Sequence, residues 1–194
     1  MRKRLTWTVL LGAAIVITAL YTRSALATPA FGFAGTTLAL GRFDEINVFN
    51  HLILSNAGAE GGVVIQHRLG FIPDAELGRD GGNIWLSLQR TKGQSDVYVQ
   101  TNVWQPGGTT GWHSHPGHSL IIVTAGTVTN YEGNDPACKP TVYTVGMGFV
   151  DPGGDHVHII RNEGTVPAST IAVQLIPAGA ARRIDADDPG NCHF

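Results

Sequence analysis

Asp96 to Trp104 (DVYVQTNVW) alternates polar and apolar residues, the pattern of a strand with one buried and one wet face. Similar short runs follow at Leu120–Val123, Thr127–Tyr131, Thr141–Val145, His156–Arg161 and Ser169–Ile176. Between them stand turn residues: Pro106-Gly107-Gly108, Ala125-Gly126, Asn134-Asp135-Pro136 and Asp151-Pro152-Gly153-Gly154. Earlier β-like runs are Val48–Leu54, Val63–His67 and Ile84–Gln89, separated by the glycine-rich loops 56–62 and 78–82. Residues 28–37 are rich in Gly, Pro and Ala and carry no firm period, and Asp74–Leu77 after Pro73 reads as a single helical turn. With no amphipathic helix of ordinary length beyond the N-terminal segment, these many short strands predict an all-β antiparallel sandwich or barrel. The 25 glycines and the low charged fraction of 14% agree, since long surface helices would need more charge.

The N-terminus has a different character. Arg2-Lys3-Arg4 precedes an uncharged apolar stretch from Leu5 to Leu20, and Ala25-Leu26-Ala27 follows as an A-x-A site. Those three parts predict a signal peptide over residues 1–27, cleaved after Ala27, and a secreted or otherwise extracytoplasmic location. The alternative is an uncleaved membrane anchor, because about sixteen apolar residues come close to a span. Four of the 13 basic residues and none of the 15 acidic ones lie in that segment, so the chain from Thr28 onward has a net charge of −6. No basic patch is present, which argues against a nucleic-acid partner. Cys138 and Cys192 both fall in the exported part, and an even count in an oxidising compartment predicts a Cys138–Cys192 disulfide.

The chemistry concentrates between Gly107 and Gly126. His113 and His115 stand two apart, with His118 close behind, and a second H-x-H pair follows at His156 and His158. On an extended segment, alternate residues face the same side. Two imidazoles on one face can hold a divalent metal, and they need further donors to complete its coordination.

Here the chain resembles the cupins. Gly107, His113, His115 and Gly126 sit at positions of the first cupin motif, whose glutamate position falls on Ser119. Gly146, Pro152, Gly154, His158 and Asn162 resemble the second motif, with one extra residue before His158. The resemblance covers Val97 to Pro177. It implies a jelly-roll β-barrel, with a cupin-like core over 96–178, preceded by N-terminal strands and loops over 28–95 and followed by a C-terminal tail over 179–194. It allows a homodimer, and it implies a metal site built on His113, His115 and His158, with His156 and His118 as further candidates. The cofactor would be one divalent ion: Fe, Mn, Ni, Cu or Zn, all compatible with imidazole.

With Ser119 in place of glutamate, the ligands would be histidines only, and positions would stay open for water, O₂ or a small molecule. Asp151 and Asp155 read as turn formers rather than general bases. The function expected is a small-molecule metalloenzyme, a dioxygenase or isomerase of the cupin type. The alternative is a non-catalytic extracellular barrel that binds a small ligand or a metal.

Overall fold

The computed structural model describes residues 28–54, 63–65 and 83–194, with the backbone alone at 51–54, 63–65 and 83–86. The expected signal peptide, the loops at 56–62 and 78–82, the turn at Asp74–Leu77 and the end of the Val63–His67 run lie outside the described residues.

The described elements are all strands: β1 (Phe31–Phe43), β2 (Asn47–Leu54), β3 (Val63–Ile65), β4 (Asn83–Arg90), β5 (Ser95–Thr109), β6 (His113–Ser114), β7 (Ser119–Ala125), β8 (Thr127–Glu132), β9 (Thr141–Thr144), β10 (Gly148–Asp151), β11 (His158–Arg161), β12 (Ala168–Pro177) and β13 (Ile184–Asp185). Ten of them form one antiparallel sheet that runs β10-β7-β12-β5-β11-β6-β13, with β1 on β5, β8 on β11 and β9 on β8. That sheet curls into a nearly closed barrel. The remaining three, β3-β2-β4, form a separate small sheet.

Alternation decides which residues enter the barrel. Along β7, Ser119, Ile121 and Val123 are buried while Leu120 and Ile122 face out; along β12, Ala168, Thr170, Ala172, Gln174 and Ile176 are buried. Trp104, Val123, Val128, Ile160 and Ala168 pack together, with Phe33, Tyr143 and Phe149 against them. Ile159, one residue from Ile160, points the opposite way into a second cluster with Trp112, Tyr131 and Cys192. One strand thus feeds two cores, as a period of two requires.

The C-terminal tail packs on this second cluster. Cys138 and Cys192 form the expected disulfide, with Cα atoms 5.3 Å apart. Phe194 meets Tyr131 edge-on, with ring centroids 4.9 Å apart, and the Arg161 guanidinium lies 4.0 Å from the Phe194 ring centre. Upstream, β13 pairs with β6 in the register Ile184↔Ser114 and Asp185↔His113.

β1 is a departure from the sequence reading, which left 28–37 without a strand. It runs 13 residues and is exposed along most of its length, so no buried face imposes alternation on its sequence. Pairing with β5, from Phe31↔Thr109 to Phe43↔Ser95, holds it instead. Arg42 adds a two-pronged contact from Nε and Nη2 to the Asp96 carboxylate at 2.7 and 2.8 Å.

Candidate metal centre

His113 opens β6 and lies opposite His158, the first residue of β11. Directly opposed residues project to the same face of a sheet, so both imidazoles enter the barrel, where their ring centroids are 4.4 Å apart. His115 follows just past the end of β6, and its ring meets His113 edge-on at 4.8 Å. One nitrogen from each of the three histidines falls within a 4.8 Å cluster. The group lines a cavity of about 290 Å³, together with Trp104, Thr110, Ser119, Asp151 and Gln174.

Hydrogen bonds select which nitrogen faces inward. The Nδ1–H of His113 donates to the Gly111 carbonyl at 2.9 Å. The Nδ1–H of His115 donates to the Arg182 carbonyl at 2.6 Å. Each Nε2 is left with its lone pair for another partner, as a metal-binding imidazole requires. Arg182 is itself anchored by Nε on Gln174 Oε1 at 3.1 Å and by Nη1 on Thr37 at 2.8 Å. The Gln174 amide nitrogen lies 3.0 Å from both His115 Nδ1 and the Arg182 carbonyl. The carbonyl takes its proton, since His115 Nδ1 is already a donor.

Burial sets the charge state. The His113 pKa is pushed well below its usual value, first by loss of hydration and then by His158, Arg183 and His115, while its bond to Gly111 opposes the shift. His158 is lowered to about 4, again first by burial, with Asp151 opposing. Both rings are neutral near pH 7, the form that ligates metals.

Asp151 is the residue that the sequence reading did not place in the site. It ends β10, where it lies opposite Ser119 of β7, and only 3% of it is exposed. Its Oδ1 accepts the Gly153 N–H at 3.0 Å, so part of the turn role expected of it is present. Its Oδ2 has no hydrogen-bond partner and lies 3.2 Å from His115 Nε2. A carboxylate at the end of one strand gives no local sign of facing histidines on others. The signal was the β7–β10 register, which a sequence read strand by strand does not contain.

His156 takes a different position. β11 begins at His158, so His156 precedes the strand, yet its ring stacks on that of His158 with centroids 5.4 Å apart. Its Nε2 pairs with the Glu132 carboxylate, and its Nδ1 is 3.6 Å from Asp151 Oδ1. Asp151, His156 and His158 form a second group with donor atoms within 4.8 Å, overlapping the first at His158. His118 belongs to neither group. The extra residue before His158 is accommodated in the turn, leaving Val157 against the second core. Asn162, the last residue of the second motif, is fully buried and bridges the Trp104 and Val166 carbonyls through Nδ2 at 3.2 and 2.8 Å. Of the two tryptophans near the first motif, Trp104 lines the cavity and Trp112 packs under the tail.

The donor set fits a divalent ion: inward-facing imidazoles, His113 and His158 among them neutral, and a buried Asp151 Oδ2 without a hydrogen-bond partner. Zinc, iron, manganese, nickel and copper all accept such donors.

The chain is similar to an oxalate oxidase at 22% identity and TM-score 0.36, covering 42% of this chain and 46% of the other. It therefore spans about half of that protein's length. It is also similar to a conserved protein with a double-stranded β-helix domain from Klebsiella pneumoniae, at 23% identity and TM-score 0.40, covering 47% and 76%. A cupin superfamily protein from Desulfitobacterium hafniense aligns at 15% identity and TM-score 0.36, covering 41% and 67%. A comparison with curated proteins returns no match. The stretch that carries the inward histidines, Ser119 and Asp151 matches the family described as Cupin domain, and residues 102–174 of this chain are a cupin domain.

Proposed function

We propose that this chain is an extracytoplasmic, metal-dependent enzyme acting on a small molecule, of the oxygenase type, with its barrel wound as a jelly roll. The observation that carries the reading is the convergence of His113, His115 and His158 on one cavity, two of them held by backbone carbonyls that leave Nε2 free. A divalent ion bound there would polarise an oxygen of a bound molecule or bring it together with O₂. The chain's own residues do the rest. Trp104 and Ile121 wall the cavity with apolar surface, Thr110 and Gln174 offer polar groups, and the volume of about 290 Å³ restricts the occupant to a small molecule. The Cys138–Cys192 disulfide supports the location, since such bonds persist in oxidising compartments.

A second reading, a non-catalytic binding barrel, is favoured by Ser119, whose hydroxyl is a poor ligand where the motif carries a carboxylate. Elemental analysis of the chain from Thr28 onward, beside a His113→Ala/His158→Ala variant, tests the metal. Near-stoichiometric metal that is lost in the variant is the expected result, and no metal in either after anaerobic reconstitution overturns it. Oxygen uptake over a panel of small organic acids and alcohols then separates turnover from saturable retention.

A further inference from the structure

We infer that Asp151 is the carboxylate ligand of this metal centre, reaching it from β10 in place of the β7 position occupied by Ser119. The inference rests on the proposed three-histidine site and adds to it an anionic donor from the overlapping Asp151, His156 and His158 group, which shares His158 with it.

The sheet makes the exchange geometrically simple. Ser119 and Asp151 are direct partners across the antiparallel β7–β10 pair, and both line the cavity. Opposed side chains stand about 5 Å apart on the same face. A carboxylate moved from one to the other approaches the same volume from the neighbouring strand.

The contact between Asp151 and His115 calls for a positive charge, which a metal ion or a second proton on the ring supplies. His115 keeps its proton on Nδ1, 2.6 Å from the Arg182 carbonyl. With the ring neutral, its Nε2 presents a lone pair to Asp151 Oδ2, 3.2 Å away, and that oxygen has no other hydrogen-bond donor. Two acceptors in a buried space repel one another unless a positive charge lies between them. Two donors each about 2.1 Å from one ion stand about 3.0 Å apart at a right angle and about 3.4 Å apart at a tetrahedral one. The observed 3.2 Å lies between those spacings.

The turn after Asp151 fixes the carboxylate on this histidine. Gly153 N–H holds Oδ1, and Gly154 N–H donates to the His115 carbonyl at 2.7 Å, joining the two ligand-bearing segments by their backbones. Gly153 has φ +69° and lies so close to Gly117 that a Cβ would come within 2.3 Å of its carbonyl oxygen, so only glycine closes this turn. His156 Nδ1 at 3.6 Å and His158 Nδ1 at 3.9 Å face the other oxygen, Oδ1. Oδ2 is thereby left to the cavity side.

Titration of metal-free full chain with Co(II), followed by calorimetry and visible absorption, tests the assignment. Wild type is expected to take up one Co(II). Asp151→Asn should weaken binding by about 100-fold or more, the upper end of what loss of an outer-shell partner causes, and should change the ligand-field bands. Asp151→Asn/Ser119→Glu should recover affinity to within about tenfold by restoring a carboxylate on the partner strand, while Ser119→Ala should match wild type. Should Asp151→Asn not fold, infrared difference spectra of wild type labelled with ¹³C-aspartate decide. A carboxylate stretch that shifts on Co(II) addition supports ligation, and an unshifted one overturns it. Stoichiometric Co(II) in wild type with unchanged affinity and bands in Asp151→Asn overturns the assignment and leaves the three-histidine site standing. No uptake of Co(II), Mn(II) or Zn(II) by wild type removes that site and the inference with it.

Discussion

In the first H-x-H pair, His113 and His115 both turn into the cavity, each held through Nδ1 by a backbone carbonyl. In the second, His158 enters the cavity from β11, while His156 stays in the turn and pairs with Glu132. The spacing is the same, so spacing does not decide the outcome. Neither pair lies wholly within a strand: β6 ends at Ser114, and β11 starts at His158. What separates the pairs is the partner on the far side of each ring. His115 leaves its strand and is still aimed inward, because Arg182 supplies an acceptor behind it; His156 has a carboxylate outside the cavity to satisfy it instead.

The largest expected effect follows directly. His113→Ala or His158→Ala should lower metal affinity by about 100-fold or more, and His156→Ala by about tenfold, the low end of the effect of an outer-shell partner. Calorimetric titration of the three variants measures this. Equal losses in His156→Ala and His158→Ala would show that the second pair works as a unit and would break the comparison.

Next in size is the disulfide. Cys138→Ala/Cys192→Ala should cost about 2–4 kcal/mol of stability, read from denaturant midpoints. The same variant should also weaken metal binding, because the tail carries β13 and Arg182, which brace the first pair. A stability loss with unaltered affinity would show that the tail does not orient His115.

A smaller change tests the brace behind His113. Gly111 has φ +67°, and a Cβ there would lie 2.0 Å from the Thr28 carbonyl oxygen. Gly111→Ala should therefore cost about 1–3 kcal/mol and displace the carbonyl that holds His113 Nδ1. Thermal melts with and without metal should show a larger metal-dependent upshift in wild type than in the variant.

A last effect concerns pH. In the metal-free protein His158 resists protonation down to about 4, and His113 is lowered as well, whereas unfolded histidines take up protons near 6.5. Between those values the unfolded chain binds more protons, so stability is intact above pH 6.5 and falls as pH drops toward 4. The limiting slope is about 1.4 kcal/mol per pH unit for each such histidine. Urea melts from pH 7 to pH 4.5 should show it, and His158→Gln should flatten it; a flat wild-type profile would contradict the burial argument.

Much of this was legible in the residues. The alternation in Asp96–Trp104 and Ser169–Ile176 became β5 and β12, whose inward positions build the cavity wall. His113, His115 and His158 could be named because H-x-H spacing beside glycine turns is local information. β1 was not visible, since an exposed strand held by backbone pairing has no apolar rhythm to detect. Asp151 was hidden for another reason: Asp-Pro-Gly-Gly is turn chemistry, and it does form that turn, while its facing of His115 depends on strand pairing. His156 lies two residues before the start of β11, yet its ring stacks beside His158 as the H-x-H spacing suggested. The Arg182 carbonyl was beyond any side-chain reading, since a backbone oxygen contributes regardless of residue type.

That carbonyl has a consequence for the order of assembly. His115 is oriented by a backbone group 67 positions downstream, and such distant contacts form late because a long stretch of chain must first be closed. A polypeptide still being extended through residue 181 holds His113 and His115 but lacks the group that directs the second ring. Tight capture of an ion at the proposed site would therefore be deferred until that segment exists and has docked, so the ions present where folding finishes, rather than those met during synthesis, would determine which one is taken.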